Sequence, residues 1–180
     1  MLLSISAVAQ KNEIAVTAGG YFPINSQTNA SDAFAVGGNF AHRLASVPLV
    51  SLYLEVPVYG TFHSISNIVQ TAQSPFRNPR YSALFVTPGL KLKLAPSFPI
   101  SPYLAAGGGL AHFSKEDVTT SDSTNSGTFD VAGGVDIKFF PYLSFRAEVR
   151  DYYSGNPNLL PGLTERQNQL VSTLGLVIRF

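Results

Sequence analysis

The chain has 180 residues, enough for one domain, and its 45% hydrophobic content excludes an unfolded segment. Only 13% of residues are Asp, Glu, Lys or Arg, against about 25% in a soluble domain, which is too little charge to cover a surface that meets water on every side. A net charge of +1, with scattered basic residues, argues against nucleic acid as a partner, and the lack of cysteine excludes disulfides and thiolate metal sites.

At the amino-terminus a short apolar run leads to the small-residue triplet Ala7-Val8-Ala9 before Gln10. This pattern predicts residues 1–9 as the remnant of a secretory signal peptide, leaving 10–180 as one barrel domain. Eight strands are predicted in chain order, at 13–22, 32–43, 49–62, 80–94, 102–113, 128–139, 143–153 and 168–180. Residues 94–114 carry no charge and are long enough to span a bilayer as a helix, but Pro96, Pro99 and Pro102 break the first half and Gly107 to Gly109 loosen the second. A membrane protein without spanning helices must be a closed barrel, because lipid offers no partner to an open sheet edge.

Period-two alternation tells the two faces of the strands apart. In the last strand Leu174, Leu176, Ile178 and Phe180 form one apolar row, while Arg179 lies on the other parity. Val131, Val135, Ile137 and Phe139 likewise alternate with Asp130, Asp136 and Lys138, and Phe145, Ala147 and Val149 with Arg146, Glu148 and Arg150. Apolar rows face lipid and charges face the lumen. The connections alternate too. Those at 23–31, 63–79, 114–127 and 154–167 are long and polar, whereas 44–48, 95–101 and 140–142 are short and carry proline. This is the asymmetry of an outer-membrane barrel, and it predicts periplasmic termini. Aromatics near strand ends predict two girdles, with Tyr21, Phe22, Phe62, Tyr81, Phe113, Phe129, Tyr152 and Tyr153 at the loop end and Tyr103, Phe139, Phe140, Tyr142 and Phe180 at the turn end.

The strand Pro102-Tyr-Leu-Ala-Ala-Gly-Gly-Gly109, the strand Phe145-Arg-Ala-Glu-Val-Arg-Asp-Tyr-Tyr153 and the terminal Gly175-Leu-Val-Ile-Arg-Phe180 resemble the small bacterial outer-membrane β-barrel family, the OmpA-like and OmpX-like proteins. The resemblance implies that the terminal strand, through Leu174, Leu176, Ile178 and Phe180, is read by the barrel-assembly machinery. The chain departs from the OmpA pattern by ending with the barrel, which removes the expectation of a peptidoglycan-binding role.

The candidate site is an interior charge network of Glu55, Lys91, Lys93, Asp130, Asp136, Lys138, Arg146, Glu148, Arg150 and Arg179. A hairpin centred on Pro141 puts Asp136 opposite Arg146. Buried ions need such partners, and an eight-stranded barrel is only wide enough for side chains to fill it. The expectation is a salt-bridged plug; the alternative is a narrow small-solute channel. His42, His63 and His112 have no ligand-type neighbour and predict no metal site. Phe62-His-Ser-Ile-Ser-Asn67 resembles the His–Ser element of outer-membrane lipid deacylases, though its spacing differs and no acid follows before Glu116, so a lipid hydrolase is the weaker alternative.

Taken together, these features predict an all-β, eight-stranded antiparallel up-and-down transmembrane barrel in a bacterial outer membrane, non-enzymatic and without cofactor. Its expected partners are outer-membrane lipid, the barrel-assembly machinery and a surface ligand held by loops 63–79 and 114–127, serving surface interaction or envelope integrity. A soluble lipocalin-like carrier is disfavoured because it needs an apolar cavity and a polar outside, the inverse of this pattern.

Overall fold

The computed structural model describes residues 11–24, 33–62, 80–116, 121–154 and 167–180. The signal-peptide stretch 1–9, the 63–79 loop and the His63 element lie outside them. The strands are β1 (Asn12–Pro23), β2 (Ala33–Val47), β3 (Val50–Phe62), β4 (Arg80–Val86), β5 (Gly89–Leu94), β6 (Ile100–Glu116), β7 (Ser121–Phe140), β8 (Leu143–Ser154) and β9 (Gln167–Arg179). All pairings are antiparallel, and β1 pairs with both β2 and β9, so the sheet closes on itself.

β4 and β5 are two halves of one strand. Val58 of β3 faces Val86 and Glu55 faces Gly89, so register is kept across the break. The break falls at Thr87 and Pro88, where Pro88 has no N–H to give and Thr87 N instead donates to the Pro57 carbonyl at 3.3 Å. The barrel is therefore eight-stranded.

Its shear can be walked. From Glu13 the register partners run Ala41, Glu55, Gly89, Gly107, Asp130, Tyr152 and Gln169, and return to β1 at Pro23, ten residues up the strand. Ten residues of shear over eight strands correspond to a tilt of about 40° and a cylinder roughly 16 Å across between backbones.

The turns at one end are tighter than the sequence suggests. β2 and β3 are joined by Pro48-Leu49 alone, and β7 and β8 by Pro141-Tyr142. Among the described residues the only non-glycine with positive φ is Ala95 at 47°, in the β5–β6 turn. The two Pro turns are thus of the unprimed kind, which splay strands. Each is accompanied by a register shift, at Leu44 in β2 and at Phe139 in β7, that restores the strand twist.

At the loop end the described parts of segment 114–127 are strand. β6 runs to Glu116 and β7 starts at Ser121, paired through Ser114↔Ser123, His112↔Asn125 and Leu110↔Gly127. The described Ser and Thr residues of this segment, which read as loop, form a hydrogen-bonded ribbon instead.

Burial follows the alternation. Leu54, Leu90, Leu92, Leu94, Leu104, Val131, Ile137, Leu174, Leu176 and Ile178 face outward and are exposed. On β7 the outward row runs from Phe139 to Phe129. Those ten residue steps measure roughly 33 Å along the strand and, at a tilt of about 40°, about 25 Å along the barrel axis, the height of an outer-membrane barrel's apolar band. Phe22, Phe62, Phe129 and Tyr153 edge that band at the loop end, and Phe139, Phe140, Tyr142 and Phe180 at the turn end.

Tyr103 and Tyr152 are corrections to the girdles. Both are buried, because Tyr103 shares parity with inward Ser101 and Ala105, and Tyr152 with Arg150. Tyr21 and Phe113 also pack against the interior cluster.

Candidate functional site

The lumen is filled in tiers. At the turn end β1 contributes Glu13, β5 Lys91 and Lys93, β7 Asp136, β8 Arg146 and β9 Arg179. Glu13 sits at the centre: Lys91 Nζ lies at 3.0 Å, Arg179 Nε at 3.1 Å and Arg146 Nη2 at 3.5 Å, and Lys93 is in direct hydrogen-bonded contact. Asp136 takes two bonds from Arg146, Nε at 2.8 Å and Nη2 at 3.0 Å, and also meets Lys93 at 2.7 Å and Arg179 at 3.3 Å. Arg179 Nη1 donates to Ser144 Oγ at 2.7 Å. Rings cover the exposed faces of the cations: both lysine ammoniums stand about 5 Å from the Tyr53 ring, and the Arg146 guanidinium lies 4.7 Å from the Tyr103 ring.

The next tier is built on Arg150. Its Nη2 bonds Glu55 at 2.8 Å, its Nε bonds Glu148 at 3.0 Å, and its Nη1 contacts Asp130. Glu148 also accepts from the hydroxyls of Tyr59 at 2.7 Å and Tyr103 at 2.6 Å, while Asn39 Nδ2 donates to Glu55 at 2.9 Å. Lys91, 3.6 Å from Glu55, joins the two tiers.

Beyond Arg150 the filling turns apolar. Phe85 stacks on Tyr152 with ring centroids 4.4 Å apart, meets Phe113 edge-on at 5.9 Å, and packs with Ala35, Ala83, Ala111 and Val171.

Two glycines make room for the rings. A Cβ on Gly37 would lie 2.3 Å from the Tyr59 ring, and one on Gly134 would lie 2.5 Å from the Tyr103 ring. Each tyrosine lies flat over a glycine on a neighbouring strand, so only glycine fits.

Five acids (Glu13, Glu55, Asp130, Asp136, Glu148) and five bases (Lys91, Lys93, Arg146, Arg150, Arg179) are buried in mutual contact. Taking an ion out of water costs several kcal/mol, so a narrow lumen can hold this many only if each is paired and hydrogen-bonded. Lys138 stands apart, half-buried at the turn rim with Nζ donating to the Pro96 carbonyl.

The register puts Asp136 opposite Arg146. The hairpin closes at Phe140↔Leu143, and it is the Phe139 bulge that moves the register by one and brings the two charges together. Glu13, Asn39 and Tyr59 belong to the network without having been singled out in the sequence, and Tyr103, expected in the girdle, belongs to it too. Glu13 was readable only as one acid on the parity opposite Ile14 and Val16, next to a closing strand.

No protein-family model matches the chain, and no curated protein matches it. Among solved structures it is similar to Neisserial surface protein A (TM-score 0.66, 13% identity, covering 94% of this chain and 97% of that one). It is also similar to Ail, the attachment invasion locus protein of Yersinia pestis (0.58, 13%, 95% and 99%). A third is the N-terminal β-barrel domain of Pseudomonas aeruginosa OprF (0.55, 15%, 95% and 99%). At these identities the likeness is one of fold, and the fold is that of the small OmpA-like and OmpX-like outer-membrane barrels.

Proposed function

We propose that this is a bacterial outer-membrane protein with a closed lumen, whose work is done at its outer wall and loop end in surface interaction or envelope integrity. The observation that carries the reading is the balanced interior, with ten buried ions in mutual contact and an aromatic seal above them. Opening a water path would separate several buried pairs at once. The apolar band supports placement in lipid, and the grouping of short turns at the end where Asn12 and Phe180 pair supports periplasmic termini. Two structural neighbours are named for the cell surface and for attachment, which agrees with an outward-acting scaffold. The exposed row Leu174, Leu176, Ile178 and Phe180 is the surface we assign to the barrel-assembly machinery.

The test is conductance. Purified barrel in a planar bilayer should give no steady single-channel steps. Reproducible steps that vanish when Lys91 or Arg150 is changed would establish a small-solute channel instead.

A further inference from the structure

The outer face of the β6–β7 ribbon carries a second constellation, unconnected to the lumen. His112 and Ser114 are two residues apart on β6 and so share a face, and the register sets Asn125 of β7 directly across from His112. His112 Nδ1 lies 2.7 Å from Asn125 Oδ1, and Ser114 Oγ lies 3.3 Å from His112 Nε2. A carboxamide oxygen can only accept, so Nδ1 carries the proton and Nε2 turns its lone pair to the serine hydroxyl. That is the tautomer a general base needs. A nucleophile, a base in reach of it and an acceptor fixing the base are the three roles of a hydrolytic triad, which is recognised by geometry rather than by chain order.

The position selects the substrate. One side-chain step toward the turn end on the same face is Leu110, 64% exposed, and across on β4 is Leu84, 44% exposed. The triad thus stands where the apolar wall ends and the polar ribbon begins, the depth at which acyl esters of bilayer lipids lie between hydrocarbon and headgroup. Ser82 and Ser123, the register partners of Ser114 on its two flanking strands, are exposed and place hydroxyl donors beside the site of a developing oxyanion.

An internal control stands at the other rim. His42 Nδ1 lies 2.8 Å from Asn12 Oδ1, again directly across two strands, but its same-face neighbours along β2 are Phe40 and Leu44. Among the described residues the His–Asn pair occurs twice and the serine beside it once.

We propose that Ser114, His112 and Asn125 hydrolyse acyl esters of membrane lipids from the outside of the barrel, at residues other than the His63 element on which the sequence rested its weaker lipid-hydrolase alternative. Ser114 Oγ forms a bond to the ester carbonyl carbon as its proton passes to His112 Nε2. The ester C–O bond then breaks, and the lipid alcohol leaves with that proton. Water, deprotonated by the same nitrogen, attacks the acyl-serine, and fatty acid leaves as Oγ regains its proton. Asn125 is a positioning residue. The proposal rests on the reading of the outer wall as lipid-facing.

The test uses the full chain reconstituted separately in phosphatidylethanolamine–phosphatidylglycerol vesicles and in vesicles containing lipopolysaccharide, with released fatty acid measured by mass spectrometry. Release from one of the two identifies the lipid. It should fall about 10²–10⁴-fold in Ser114→Ala and His112→Ala and stay unchanged in His42→Ala. Asn125→Asp should move the acid limb of the pH–rate profile upward, because a carboxylate stabilises the imidazolium; a merely structural Asn would leave that limb in place. A long-chain alkyl sulfonyl fluoride should add its mass to Ser114 in the wild type, which keeps the proposal testable if a variant misfolds. Wild-type barrel that floats with both vesicles yet shows no release from either and no label on Ser114 overturns the triad. Barrel that does not float overturns the lipid-facing wall, and the proposal with it.

Discussion

The turn half and the loop half of the lumen fill the same cylinder by opposite means. In the turn half, Glu13 and Asp136 are interleaved with Lys91, Lys93, Arg146 and Arg179, and every ion is held by several partners. In the loop half, Phe85, Tyr152, Val171 and three alanines pack as in a soluble core. The difference lies in how each half fails. An apolar core loses stability in proportion to the area and volume removed, whereas an ion network loses it through the charge left behind.

The largest effect should therefore come from Glu13→Ala, which takes a carboxylate from four cations at once and leaves Lys93, Arg146 and Arg179 to share Asp136, and Lys91 with Glu55. About 3–5 kcal/mol is the usual cost of breaking one buried pair, and Glu13→Ala should reach the top of that range in urea titrations of the folded barrel. Arg146→Ala should cost a similar or slightly smaller amount, and adding Asp136→Ala should recover part of it, since the carboxylate that lost its two-bonded partner is then gone. Strictly additive losses would show that the two do not act as a pair. Both effects should persist at 1 M salt, where exposed pairs are screened.

Phe85→Ala comes next, at about 3 kcal/mol, the lower end for truncating a buried phenylalanine, and no partner mutation should rescue it. If a second aromatic truncation at Tyr152 recovers stability, the halves do not differ in kind. Gly134→Ala should cost about 1–3 kcal/mol by overpacking. Its new Cβ would fall 2.5 Å from the Tyr103 ring and 2.7 Å from the Ala147 carbonyl, so thermal unfolding should shift down while Tyr103→Ala in the same chain restores part of the loss. The smallest effect should be that of His42→Ala, about 0.5 kcal/mol, since it removes one exposed hydrogen bond outside both halves.

Period two made the inner and outer faces legible in the sequence, because a single residue slip would invert every side chain and the charges mark one parity. Distances along the strand were less legible. Tyr103 and Tyr152 sit near strand ends, as interfacial aromatics do, yet their parity sends them inward. Glu13 is a lone acid in its strand, and its weight appears only when closure brings β9 alongside and Glu13 opposite Arg179. The outer-face triad was hidden for the same reason: His112 and Ser114 are neighbours in sequence, but Asn125 becomes theirs only through the β6–β7 register. Pairings local to one strand, or across a tight hairpin such as Asp136 with Arg146, could be read; pairings made by barrel closure or across a longer connection could not.

The chain separations around Glu13 bear on how the barrel comes into being. Its hydrogen-bonded cations lie 78, 80, 133 and 166 residues further along. A growing sheet of the first few strands would carry this carboxylate with no counter-ion, and one that had reached β8 would still lack Arg179. Loop-closure entropy must be met before such distant contacts repay it, so folding should be slow and should proceed without a stable half-barrel. The first strand remains an unfinished edge until the last one arrives, and chain closure and charge neutralisation become a single cooperative event.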